Sequence, residues 1–227
     1  MKKVIISCKM LEFELNKVLE KAGEEYEVIW LEKALHETPA RLREELLRIL
    51  TGLDARGDVD RVYMTLGDCG GATKGLSAGK NFDMIYPRMD DCITLLLGAP
   101  DIRRELNQQG VYFLSDSWLT GTRNIITEYE YTKEKYDEET AAFVMETMLK
   151  NYKKLGLLDT GAGDVAALFK ATAPFAREMH LEQVRIAATL EWLSSLLSAA
   201  PENTDRFVYV APGESAPDLA LRSSLYM

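Results

Sequence analysis

A chain of 227 residues, 47% hydrophobic and 28% charged, has the composition of a folded globular protein and buries roughly 70% of the surface its unfolded form exposes. Its net charge of −9 argues against nucleic acid and anionic membranes as partners, since both are polyanions. The strand-like run after Met1-Lys2-Lys3 is too short for a signal segment or a membrane span, so a cytoplasmic setting is expected, and an odd number of cysteines there points to ligation, nucleophilic chemistry or burial rather than to disulfides.

The first ninety-odd residues alternate strand and helix. Val4-Ile5-Ile6 is β-branched; Leu11, Leu15, Val18, Leu19 and Ala22 then recur at helical spacing until Gly23. Tyr26 to Leu31 reads as the second strand, and Thr38-Pro39 opens a helix with Leu42, Leu46, Leu47, Ile49 and Leu50 on one face. A polar link from Asp54 to Asp60 leads into a third strand, Val62-Tyr63-Met64, and then into a turn rich in glycine. A fourth strand, Phe82 to Tyr86, ends at Pro87-Arg88, and Asp90-Asp91 opens the helix from Cys92 to Leu97, where two carboxylates suit the helix dipole.

From residue 101 the pattern starts again. Val111 to Ser115 is a strand followed by Asp116-Ser117-Trp118. Tyr136, Thr140, Phe143, Val144, Met148, Tyr152 and Leu155 form one stripe of a long helix beginning near Thr132. Leu157 to Thr160 is a short strand, residues 164–178 a helix, Gln183 to Ile186 a strand, Ala188 to Ala199 a helix, and Phe207 to Val210 the last strand. Repeated strand-helix units imply mostly parallel sheets joined by right-handed crossovers. The expected fold is therefore α/β, with two Rossmann-like lobes facing a cleft: residues 1–105, which carry all the cysteines, and residues 106–227.

In open α/β sheets ligands bind beyond the carboxyl ends of the strands, and Cys8, Cys69 and Cys92 each follow a predicted strand. Three thiolates, with His36 from the loop after the second strand, form a ligand set for zinc or for an iron–sulfur cluster. No C-x-x-C pair is present, so this reading rests on the predicted convergence of the strand ends. Within Gly67-Asp68-Cys69-Gly70-Gly71, the glycines Gly70 and Gly71 permit close backbone approach to a bound group. Arg88 suits an anionic substrate, Asp91 suits a ligand or its support, and Trp118 belongs to the second lobe's strand ends, opposite the cysteines. Two other readings stay open. One is a metal-free thiol enzyme of the racemase or transferase type, with Cys69 as a nucleophile whose turn exposes backbone N–H groups. The other is an accessory protein that handles a metal or a corrinoid without turnover. No Walker loop, G-x-S-x-G elbow or dinucleotide fingerprint follows a strand.

Leu35-His36 with Pro39, Leu66-Gly67-Asp68-Cys69-Gly70, Arg88 through Ile93 with Leu95-Leu96-Leu97-Gly98, Val111 to Leu114 with Trp118, and Val210-Ala211-Pro212-Gly213 together resemble the family catalogued as domain of unknown function 1638. In this sequence the family's cysteine, glycine-cysteine-glycine and arginine-aspartate-cysteine positions are Cys8, Cys69, Gly70, Arg88, Asp91 and Cys92. The family's usual tyrosine-glycine pair before the turn is replaced by Leu66-Gly67-Asp68, which adds an acidic group to the site. The resemblance implies a role in anaerobic one-carbon metabolism, near corrinoid-dependent methyltransferases, with a small-molecule substrate and a corrinoid protein or methyltransferase as partner. Methyl transfer to or from a thiol is the reaction it suggests.

Overall fold

A computed structural model of the chain describes residues 2–120, 124–201 and 205–217. The first sheet begins with β1 (Lys2–Cys8), β2 (Glu27–Leu31), β3 (Val59–Met64) and β4 (Asp83–Pro87), all parallel and ordered β2-β1-β3-β4. Helix α1 (Glu12–Leu19) links β1 to β2, and α2 (Pro39–Arg56) links β2 to β3. Proline at the first position of α2 and Gly57 at φ 68 after its last mark its ends.

Side chains alternate across this sheet as a period of two requires. Val4, Ile6 and Cys8 of β1 share one cluster with Met64 of β3, Met84 of β4 and Leu42, Leu46, Ile49, Leu50 and Leu53 of α2. Ile5, Tyr63 and Ile85 face the other way, where Leu15 of α1 packs. Cys8 thus ends a strand on the α2 side, in phase with Val4 and Ile6.

Beyond β4 come α3 (Cys92–Leu97), α4 (Pro100–Gln108), β5 (Val111–Leu114), the short α5 (Asp116–Leu119), α6 (Ile125–Lys135) and α7 (Glu138–Leu149). They are followed by β6 (Lys154–Asp159), α8 (Val165–Glu178), β7 (Glu182–Ala187), α9 (Glu191–Leu197) and β8 (Phe207–Val210). Strands β5, β6 and β7 form a second, wholly parallel sheet. The fold is therefore α/β with mostly parallel sheets, as the alternation predicts, and among the described residues no helix is long and apolar enough to cross a membrane.

Three expectations need correction. The last strand, expected with the second group, runs antiparallel beside β4 in the first sheet. It is drawn there because α9 packs on the first sheet's far face: Leu196 and Ala199 join Ile5, Leu15, Tyr63 and Phe207 in one cluster, and the Trp192 indole N–H donates to Gly98 O at 3.0 Å. The single long helix beginning near Thr132 is two helices. Tyr136 leaves helical geometry at φ −121 and ψ −92, and the Asp137 carboxylate caps α7 by accepting from Thr140 N at 2.7 Å. The residues of that stripe therefore share no common face: Tyr136, Phe143 and Met148 are 60%, 70% and 58% exposed, and the inward face of α7 is Ala141, Met145 and Leu149. Leu155, assigned to that helix, belongs to β6, which begins at Lys154 rather than Leu157.

Candidate functional site

Because β1, β3 and β4 are parallel neighbours, their carboxyl ends lie on one edge. Cys8 is the last residue of β1, Cys69 lies in the loop after β3, and Cys92 opens α3 after β4. The two loops are joined by their backbones: Asp68 N donates to Met89 O at 2.7 Å and Cys69 N to Asp90 O at 2.7 Å. This union requires Gly67, since a Cβ there would strike the Met89 carbonyl and come within 2.9 Å of Asp91 N. The loop then reverses through three left-handed residues, Cys69 (φ 46), Gly70 (φ 73) and Gly71 (φ 86). Cys69 pays about 1–2 kcal/mol for a conformation that costs glycine nothing.

Three of the N–H groups expected to be open in this turn are engaged within the protein. Asp68 N and Cys69 N bond to the neighbouring loop, and Gly71 N donates to Asp68 Oδ2 at 2.9 Å. Gly70 accommodates Pro39, whose Cγ would lie 2.8 Å from an added Cβ. Asp91 is the N-cap of α3: one oxygen accepts from Thr94 N and Thr94 Oγ1, each at 2.7 Å. Arg88 follows β4 and its backbone N–H donates to Arg206 O at 2.8 Å. Trp118, half-buried on α5, packs against three of the molecule's apolar clusters, including the one that contains Cys8 and receives Cys69 and Cys92. His36 lies in the 3-10 turn Lys33–Glu37, and its side chain is outside the described residues.

Burial governs the three thiols. It pushes Cys8 up to about 11 and Cys69 and Cys92 upward as well, with the Asp91 charge the next cause for both of these. The Cys8 charge raises Cys69, and Cys8 and Cys69 both raise Cys92, so the sulfurs are within electrostatic reach. At neutral pH they are protonated thiols. Among the described residues no group of three or more His, Cys, Asp or Glu side chains stands close enough to hold a metal ion. The donor set thus suits a thiophilic metal in kind and in its common edge, while the thiols as packed do not form a coordination sphere.

Two features of this region escape sequence reasoning. Arg103 of α4 lies with its guanidinium 4.3 Å from the Phe113 ring centre and 3.9 Å from Asp91 Oδ2, close enough to Cys92 to favour its thiolate. Its Nε and Nη1 are buried and, among the described residues, without a hydrogen-bond partner. A buried polar cluster also ties α1 to α5. The Ser117 hydroxyl donates to Glu14 Oε2 at 2.7 Å, Phe13 N donates to Ser117 Oγ at 2.9 Å, and Lys33 Nζ donates to the carbonyls of Ser117 and Thr120. Glu14, 1% exposed, is held above the usual carboxylate range by burial. A glutamate in a helical first turn and a lysine after a strand look like ordinary surface residues in sequence; only the docking of α5 makes them interior.

The family described as protein of unknown function (DUF1638) matches residues 30–197. The chain belongs to the DUF1638 family. The matched span begins after β1 and ends with α9, so it includes Cys69, Arg88, Asp91, Cys92 and Trp118, while Cys8 and β8 lie outside it. No curated protein and no solved structure matches the chain.

Proposed function

We propose that Cys8, Cys69 and Cys92 together hold a thiophilic metal, zinc or an iron–sulfur cluster, and that this DUF1638 protein acts in methyl-group metabolism, on a methyl group carried to or from a thiol. The observation that carries the reading is the delivery of all three cysteines of the chain to one edge by three adjacent parallel strands. Binding requires the sulfurs to turn toward one another and to lose their protons, so affinity rises with pH. A bound metal supplies the positive charge that keeps a thiol ionised at neutral pH. The chain's own groups do the rest. The loop union at Gly67 fixes the distance between the Cys69 and Cys92 backbones, Asp91 fixes the start of α3, Arg103 offsets part of the acidic surroundings, and Trp118 shields the edge from water. Arg88 is the candidate for gripping an anionic part of a small-molecule substrate, and a corrinoid protein or methyltransferase is the proposed partner.

A metal-free nucleophile is the weaker reading, because burial moves Cys69 away from the thiolate rather than toward it. Anaerobic purification with metal analysis and a visible spectrum tests the proposal. Stoichiometric zinc in colourless protein, or iron with broad visible absorption, is expected. Metal-free protein in which one thiol is selectively alkylated at neutral pH contradicts it. Turnover of methylcobalamin with a small thiol by the metal-loaded protein separates an enzyme from an accessory metal carrier.

A further inference from the structure

Among the described residues, two buried hydrogen-bond donors near the cysteine edge lack acceptors: the Arg103 guanidinium, through Nε and Nη1, and the Ser115 hydroxyl. Arginine keeps its charge at every pH a folded protein meets, so Arg103 cannot relieve its burial by shedding a proton. The carboxylate beside it does not answer these groups. Asp91 Oδ2 stands 3.9 Å from Arg103 Nη2, and Oδ1 is committed to Thr94 N and Thr94 Oγ1. Ser115 occupies the N-cap position of α5, where a serine ordinarily accepts from the first N–H groups of the helix, yet its side chain makes no cap bond. It is 1% exposed.

The fold brings the two groups to one side of β5. Val111 and Phe113 pack in the cluster that also holds Met89 and Ile93 and receives Cys92, whereas Leu114 packs in another. Ser115 continues the strand in extended geometry, φ −126 and ψ 169, so its side chain is in phase with that of Phe113. The Arg103 guanidinium covers the Phe113 ring, 4.3 Å from its centre. Solvent reaches this place, since the Arg103 and Asp91 side chains are 13% and 17% exposed. An unmatched buried donor carries a desolvation penalty, larger for a charged group, so the pair calls for an acceptor from outside the chain, and anionic oxygen is the acceptor a guanidinium binds best. The surroundings limit the charge of that acceptor. Asp90 feels Asp91 and Asp68 as well as Arg103 and Arg104, so carboxylates already crowd the positive groups, and a dianion meets more repulsion than a monoanion. We propose that Arg103 and Ser115 bind the carboxylate of a small organic acid beside Cys92. The guanidinium and the Ser115 hydroxyl donate to its oxygens. The inference stands on these two residues, adds a second cationic anchor to the one proposed at Arg88, and holds whether or not the cysteines bind a metal.

Nuclear magnetic resonance of the full chain with isotope-labelled arginine tests it, through the assigned Arg103 Nε–H signal. Propionate is the probe, propionamide its neutral isostere and inorganic phosphate the more highly charged anion. Propionate is expected to shift the signal to saturation, propionamide to leave it in place, and phosphate to bind more weakly than propionate. Ser115→Ala, which deletes the hydroxyl without adding bulk, should weaken propionate about tenfold, as expected for one hydrogen bond to a charged group, while the urea midpoint stays the same or rises. Should that variant not fold, Arg103→Lys, which keeps the charge but loses the planar donor fork, should weaken propionate by a similar factor in a titration followed by calorimetry. No saturable shift with propionate, an equal shift with propionamide, phosphate binding as tightly as propionate or more so, or an unchanged propionate affinity in the variant would each overturn the proposal.

Discussion

At the scale of single residues, the molecule depends on a glycine for which no side chain can substitute. Gly67 lies where the two cysteine-bearing loops touch backbone to backbone, and Gly67→Ala must push Met89–Asp91 away. We expect a loss of about 3 kcal/mol, toward the upper end of overpacking costs, read as a fall in the urea midpoint. Gly23→Ala, with nothing within 4 Å of the added atom, should be close to neutral. Glu14 gives a prediction in pH. Its folded value is raised above the ordinary 4.5, so the folded state binds the proton more tightly than the unfolded chain, and stability falls as pH rises from about 4.5 through the folded value. Relative to Glu14→Gln, the wild type should lose stability across that window and level off above it; a difference that does not change with pH would show that Glu14 is not buried as a titrating group. These residues also mark the limit of reading from sequence. Cys8, Cys69 and Cys92 could be found because strand ends are visible as the stops of apolar runs. Glu14, Lys33 and Arg103 could not, because their burial depends on α4 and α5 docking onto distant parts of the chain.

At the scale of elements, α2 and α3 set the geometry of the edge. Leu46 is fully buried between α2 and the first sheet, and Leu46→Ala should cost about 3 kcal/mol through lost burial and the cavity left behind. Asp91→Ala removes the cap of α3 and should cost about 1 kcal/mol, whereas Asp91→Asn retains the side-chain acceptor and most of the stability; equal losses in the two variants by urea denaturation would point to the 3.9 Å approach to Arg103 as the larger contribution. Elements with clean local signals were legible: the β-branched run of β1, the Pro39 start of α2 and the Gly98 stop of α3. The region from Thr132 to Leu155 was not, because apolar residues on two consecutive helices and a strand happened to share one period. There the capping carboxylate of Asp137 outweighed the pattern, and the exposed Phe143 and Met148 beside the fully buried Leu155 show that the stripe is not one face of one helix.

At the scale of the whole molecule, strand count and the predominance of parallel pairing followed from the sequence pattern, but the partner of the last strand did not. A parallel crossover and an antiparallel return have similar local sequence, and the choice was made by α9 and Trp192 packing on the first sheet. The convergence of three cysteines survived that error because it depends only on β1, β3 and β4. It is also the central claim about function, and cobalt titration of reduced, metal-free protein under anaerobic conditions tests it most directly. Thiolate ligation gives an intense ligand-to-metal charge-transfer band whose strength follows the number of sulfurs bound. The account predicts a band that saturates at one ion per chain, grows with rising pH as protons are displaced, and weakens in each of Cys8→Ser, Cys69→Ser and Cys92→Ser. A titration with no such band, or a band that persists undiminished in any one of the three variants, would contradict a site shared by all three cysteines.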